Sequence, residues 1–210
     1  TILRFDLRGH GRSTKPKKRF TIRDYGNDLV NLLENIGWNE DLYFIGHSLG
    51  GMVALVYALE NSSKIKKMVI SNSYCFVSNE AISDTLGRIK SVPLPKFALG
   101  MGKRLLSPYN EDLTNFIAQM VRDHMTAKDC LYATAASAGF NICRTLKSLP
   151  LPTLILVGRN DILTPVYLSE MLHEWLPQSE LVVMPEAGHM IILNHAAEFN
   201  SHVKRFFARD

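Results

Sequence analysis

The sequence has only three cysteines, Cys75, Cys130 and Cys143, among its 210 residues. None is spaced as a metal ligand and an odd count cannot pair fully, so no disulfide framework is expected and a reducing compartment is. No uninterrupted apolar run approaches the roughly 20 residues that a transmembrane helix needs. The N-terminus lacks a charged-then-apolar signal pattern. There are no internal repeats or low-complexity tracts, and 13 Gly with 9 Pro are too few for a collagen-like fibre. What is present is 46% hydrophobic and 21% charged, the balance of a globular protein: one large domain, or one domain carrying an insertion. A core of that size could bury roughly 70% of the unfolded surface. The formal charge of +4 includes clusters at Lys15, Lys17, Lys18, Arg19 and at Lys64, Lys66, Lys67. Both fall at loop or strand-entry positions without interleaved aromatics, so neither nucleic acid nor an anionic membrane is expected as a partner.

Hydrophobic spacing divides the chain into alternating elements. Thr21-x-x-Asp24 has the form of a capping box, and Tyr25, Leu29, Leu32, Leu33 and Ile36 follow at helical spacing up to Gly37, which predicts a helix over 22–36. The apolar run 42–45 leads into 49–59, apolar nearly all round: a buried strand running into a buried helix. Residues 67–71, 154–158 and 181–184 read as further strands. Their apolarity is continuous rather than alternating, which suggests parallel strands covered on both faces. Thr164 as N-cap and Pro165 at the first helical position open a helix over 166–176, and 196–207 form a closing one. The expected fold class is α/β with a mostly parallel sheet flanked by helices.

Residues 79–140 break the alternation. Leu113, Phe116, Ile117, Met120, Val121 and Met125 mark a helix, 128–138 is Ala-rich, and Pro93, Pro95 and Pro108 punctuate the approach. A helical cap inserted over one sheet edge is expected. The boundaries become 1–73 for the first core segment, 74–148 for the cap and 149–210 for the second core segment.

The most specific motif is Gly46-His47-Ser48-Leu49-Gly50-Gly51, a G-x-S-x-G between a strand and a helix. A serine on so sharp a turn is strained and its neighbours nearly touch; Gly46 and Gly50 are read as supplying the room. The turn exposes the Ser48 hydroxyl at the carboxyl end of the sheet and aims the Leu49 amide at a developing oxyanion. A serine hydroxyl near neutral pH needs a base, and the base an orienting carboxylate. His189 follows the last strand and Asp161 the strand before it. Glu186 shares the loop of His189, Asp41 precedes its strand, and the third strand is followed by no acid before Glu80, so Asp161 is the better candidate. His47, His10, His195 and His202 are read as packing, bracing or surface residues, and Cys75 as a small buried residue that could instead line the pocket. No histidine pair has zinc-site spacing, so no metal is expected.

The order Ser48, Asp161, His189, preceded by Phe5-Asp6-Leu7-Arg8-Gly9-His10-Gly11-Arg12-Ser13, resembles a cap-bearing α/β-hydrolase of the small esterase and lactonase branch, over nearly the whole chain. The resemblance implies that Asp6 and Arg8 brace a loop, and that three further strands and a helix precede strand 2–6. It places the third of those strands between 2–6 and 42–46, and its loop would supply a second oxyanion donor that nothing here matches. Such a segment would take roughly 50–60 residues. Thr1 stands where an initiating Met would, one residue before a strand already under way, so a preceding segment is expected. Strands 2–6 and 42–46 are then not expected to pair directly.

The expected function is a carboxylesterase that cleaves small to medium esters through an acyl-enzyme, with Ser48, Asp161 and His189 catalytic and Leu49 N–H as oxyanion donor. No cofactor is expected. The rivals are a lactonase, a carbon–carbon bond hydrolase, a cofactor-free haloperoxidase, and a ligand-binding receptor without turnover. Apolar Phe97, Met101, Leu105, Phe116 and Met120 favour an uncharged substrate group, though such spacing also suits cap core. A monomer or homodimer in the cytoplasm is expected.

Overall fold

In a computed structural model of the protein, residues 1–209 are described. Helix α1 (Ile22–Asn35) starts at the capping box read from sequence. The Thr21 hydroxyl accepts from the Asp24 amide, and the Asp24 carboxylate accepts from Thr21 N–H at 2.7 Å. Four strands follow: β1 (Leu42–His47), β2 (Ile65–Ser71), β3 (Thr153–Gly158) and β4 (Ser179–Met184). They form one sheet in the order β1-β2-β3-β4, every neighbouring pair parallel. Parallel pairing requires a crossover at each step. Helix α2 (Leu49–Asn61) joins β1 to β2, and α8 (Val166–Trp175) joins β3 to β4. In α2 every residue from Gly51 to Ala58 is buried, because α1 covers one side and the sheet the other. Truncating fully buried Leu55 to Ala would cost about 2–5 kcal/mol. The chain closes with α9 (Ile191–Asn194) and α10 (Ala196–Phe207), whose Phe199, Val203 and Phe206 pack on Val69, Leu154 and Leu156 from the opposite face.

Between β2 and β3 the chain is helical: α3 (Asn79–Ser91), α4 (Leu94–Leu105), α5 (Glu111–His124), α6 (Ala127–Ala135) and α7 (Cys143–Leu146). Its entry and exit segments meet at a neck, where Ile142 N–H donates to Cys75 O at 2.9 Å and Val77 N–H to Phe140 O at 3.2 Å. Here the sequence reading is corrected. Cys75 and Cys143 form a disulfide across a sequence separation of 68, because the neck juxtaposes them, while Cys130 is the buried free thiol. Cys75 is buried as expected, but as half of a bridge.

Residues 2–6 do not form a strand. A groove of about 500 Å³ separates them from β1, leaving no strand partner for their backbone groups. They do not pair with β1, as expected. The outer edge of β1 carries half-exposed Tyr43 and Ile45, each 53% accessible. The loop that follows is braced as the resemblance implied. Arg8 donates to both carboxylate oxygens of Asp28 at 2.5 and 2.6 Å. Asp6 accepts from Arg12 N–H at 2.9 Å, and its backbone carbonyl from Ser13 Oγ at 2.6 Å.

One lysine of each basic cluster ties a helix end. Lys15 Nζ donates to the His124 carbonyl at 2.6 Å, tying the last turn of α5 to the Gly9–Gly11 loop, and Lys67 Nζ donates to the Phe206 and Arg209 carbonyls beside α10. Cations at helix C-termini are favoured by the unsatisfied carbonyls there. Among the described residues no helix is long and apolar enough to cross a membrane.

Candidate active site

Ser48 sits at the junction of β1 and α2 with φ 51° and ψ −118°, a left-handed conformation that costs a non-glycine residue about 1–3 kcal/mol. The surroundings enforce it. Ser48 N–H donates to Ser71 O of the neighbouring strand at 2.9 Å, and Ser48 O accepts from Ser73 Oγ at 2.8 Å. A Cβ on Gly46 would lie 2.6 Å from Gly50 O and 2.7 Å from Gly51 Cα. The room-giving pair differs in part from the one read in sequence. Gly46 is needed for the close approach, but a Cβ on Gly50 would meet nothing within 4 Å, whereas one on Gly51 would strike Ser73 Cβ at 2.6 Å. Gly50 contributes its carbonyl to the contact, not its missing side chain.

The turn presents Ser48 Oγ 3.0 Å from His189 Nε2, and His189 Nδ1 lies 2.8 Å from Asp161 Oδ2. The structure therefore brings together the three residues singled out from sequence. They come from the carboxyl ends of β1, β3 and β4, held in register by the parallel ladder. Close approach of the last two loops depends on Gly158 at the end of β3, where a Cβ would lie 2.3 Å from both Ala187 O and Gly188 O.

Asp161 is buried and accepts five hydrogen bonds. Its Oδ1 takes the Leu163 and Thr164 amides at 2.8 and 2.9 Å, and its Oδ2 takes Asn72 Nδ2 at 2.6 Å, Thr164 Oγ1 at 2.5 Å and His189 Nδ1–H. Burial alone would raise this carboxyl, but the hydrogen bond and charge of His189, with the hydrogen bonds of Thr164 and Asn72, hold it down at about 2. An ionised Asp161 only accepts, so Nδ1 carries the imidazole proton and Nε2 is left as an acceptor facing Ser48.

Two of these contacts were not read from sequence. Asn72, buried and in a left-handed conformation with φ 47°, leaves β2 in the polar run Ser71-Asn72-Ser73; that run directly after an apolar strand was the available signal. The sequence makes Thr164 a helix cap, but α8 begins at Val166 with Pro165 as its N-cap, and the Thr164 hydroxyl is committed to Asp161.

Among the other histidines, His47 Nδ1 lies 2.8 Å from Ser71 Oγ and its ring packs against His189 with centroids 5.1 Å apart. Part of His47 faces the groove, but its Nε2 is shielded and has no partner. Burial, then the neighbouring His189, pushes this imidazole down to about 3. His10 donates to Arg8 O at 3.1 Å within the bracing loop. His195, expected at the surface, is half-buried and donates to Ser107 O at 3.0 Å. Ser107, between α4 and α5, also accepts from Asn194 Nδ2 at 2.8 Å and, through Oγ, from Asn160 Nδ2 at 3.0 Å. The helical insertion is thereby anchored to the loops that carry Asp161 and His189.

A cavity of about 400 Å³ opens onto Ser48 and His189, with Met52, Phe76, Ile82, Met101, Leu163 and Leu168 among its apolar walls. Of the insertion residues expected near the substrate, Met101 lines it. Leu105 is packed in a separate cluster, and Phe116 and Met120 are exposed on α5. The Leu49 amide, first in α2, has no acceptor within its own helix and adjoins Ser48 at the cavity floor. Among the described residues no group of three His, Cys, Asp or Glu side chains is arranged to hold a metal ion.

The family model described as serine aminopeptidase, S33, matches residues 1–196. The Mus musculus protein Serine hydrolase BPHL is 32% identical over 213 residues, spanning 98% of this chain and 69% of its own length. Among solved structures, a hydrolase from Pseudomonas aeruginosa PA01 superposes with a TM-score of 0.89 at 23% identity, covering 98% of this chain and 79% of that one. The esterase EaEST from Exiguobacterium antarcticum gives 0.87 at 20% identity, covering 97% and 80%.

Proposed function

The chain belongs to the hydrolase family described as serine aminopeptidase, S33, within the α/β-hydrolases, and on that footing we propose that it is a serine carboxylesterase acting through an acyl-enzyme. The observation that carries the proposal is the unbroken line of hydrogen bonds from Ser48 Oγ through His189 to Asp161. His189 Nε2 takes the Ser48 proton as Oγ attacks the ester carbonyl. The resulting oxyanion rests on Leu49 N–H, and the alkoxide leaves with the proton that His189 returns. Water then enters, His189 takes one of its protons, and attack on the acyl carbon frees the acid and restores Ser48. Asp161 keeps the imidazole in the Nδ1–H tautomer and stabilises it when protonated. Leu49 N–H is the oxyanion donor assigned to these residues; each such donor is worth about 10²–10³ in rate. The apolar cavity walls favour an acyl or alcohol part that is largely hydrocarbon.

The test is turnover of p-nitrophenyl esters of graded acyl length, with Ser48→Ala as control. A burst followed by steady turnover, lost in Ser48→Ala, is expected, as is labelling of Ser48 by a fluorophosphonate. Ligand binding with neither burst nor labelling would point to a receptor and overturn the assignment.

A further inference from the structure

The cavity over Ser48 is not uniformly apolar. Helix α3 turns one face toward it: its N-cap Ser78, then Ala81 with Ile82, Thr85 and Arg88, each three or four residues beyond the last turn's contribution. Arg88 is the one side chain of fixed charge in the lining, and neither Asp nor Glu lines the cavity. Asp84, one helical turn before Arg88, is placed to pair with it, yet among the described residues no carboxylate lies within 4 Å of the guanidinium. Instead Nη2 donates to Thr85 Oγ1, itself a cavity residue, at 3.3 Å. The guanidinium thus turns along the cavity-facing side of α3 and keeps most of its donors free. Arg88 lies seven positions beyond Ala81, about 10 Å along the helix, at an exposed position of the lining.

We propose that Arg88, supported by Thr85, is a specificity residue that receives a carboxylate at the far end of the substrate, so that the preferred esters are half-esters of dicarboxylic acids. The single planar fork of a guanidinium matches a carboxylate in two parallel hydrogen bonds. The apolar residues that line the cavity with Ser48 and Arg88 suit the methylene chain that joins the two carbonyl carbons of such a substrate. An ammonium group in the same place would meet like charge and no carboxylate. This refines the esterase assignment and rests on it.

The experiment compares monoethyl adipate and monoethyl suberate with ethyl hexanoate and ethyl octanoate, matched in acyl length, by proton release at constant pH. In the unmodified chain the half-esters are expected to have the higher kcat/KM. Arg88→Gln is expected to lower the ratio of half-ester to neutral-ester kcat/KM about tenfold, the loss of a hydrogen-bonded charge pair at an accessible site. Arg88→Lys is expected to restore part of it. Raising NaCl to about 0.5 M lowers the ratio in the unmodified chain but not in Arg88→Gln. A role for Arg88 confined to the last turn of α3 would shift the melting temperature and leave the ratio alone. An unchanged ratio in Arg88→Gln, with neutral esters still turned over, overturns the carboxylate subsite and spares the esterase assignment. Turnover of neither class overturns the esterase assignment, and the subsite with it.

Discussion

Changing Asp161 to Asn replaces one atom, and its consequence follows from the five hydrogen bonds that converge on this carboxylate. The Leu163 and Thr164 amides both donate to Oδ1, so an Asn side chain must keep its carbonyl oxygen there. Its NH₂ group then occupies the place of Oδ2, facing Asn72 Nδ2, Thr164 Oγ1 and His189 Nδ1. Thr164 can rotate its hydroxyl to accept, but His189 can accept only by moving its proton from Nδ1 to Nε2. That puts an N–H against Ser48 Oγ where an acceptor is needed. We expect kcat to fall about 10³–10⁴-fold, the scale on which a wrong tautomer disables such a base, with KM little altered because Asp161 does not line the cavity. Asn72 Nδ2, left facing another donor, keeps only its longer bond to Gly188 O at 3.3 Å, at a cost of about 1 kcal/mol of stability. Steady-state kinetics on p-nitrophenyl butyrate, together with the imidazole ¹⁵N shifts of His189, test both parts. Activity within tenfold of the unmodified chain, or a retained Nδ1–H, would refute the argument.

Other expectations follow from the same geometry. Gly46→Ala forces its new Cβ against the Gly50–Gly51 backbone, which must yield by close to 1 Å to reach ordinary contact. Displacement on that scale at the nucleophile is expected to cost about 10² in kcat/KM, and a loss under threefold would show the turn to be more pliant than described. Ser48→Gly removes activity but relieves the left-handed serine, so its melting temperature is expected to rise, by the equivalent of about 1–2 kcal/mol; a fall would contradict stored strain. Stability is expected to decline as pH falls below neutrality. The unfolded chain protonates His47 near 6.5 whereas the folded chain resists until about 3, and the Asp161 contribution, held above its unfolded pKa near 3.8, is lost as pH falls toward about 2. Urea midpoints from pH 7 to 3 test this, and a flat profile down to pH 4 would refute the His47 part. Reduction of Cys75–Cys143, which closes a loop of 68 residues, is expected to lower stability by up to about 4 kcal/mol; calorimetry with and without a phosphine reductant measures it.

Much of the site was legible in the sequence because its three members each follow an apolar strand, and a parallel sheet gathers the ends of its strands at one edge. What was not legible depended on neighbours distant along the chain. Asn72 reads as an ordinary loop residue until β3 lies beside β2 and carries Asp161 to it. Thr164 has the sequence signature of a cap, and a local signal could not show that its hydroxyl was engaged elsewhere. Cys75 and Cys143 are separated by the whole helical insertion, so their meeting depends on how that insertion leaves and rejoins the sheet. The stretch 2–6 is apolar enough for a strand, but a strand exists only where a partner accepts its hydrogen bonds.

The neck has a mechanical consequence. With Cys75 bonded to Cys143, and Val77 to Phe140 through the backbone, the segment between them is a closed covalent ring standing on one narrow stem. It also rests on the body through Ser107, Lys15 and the Ala136 carbonyl, by hydrogen bonds that can be broken and remade. A ring fastened in this way cannot unspool, and a protease that cuts it once opens the ring without releasing a fragment.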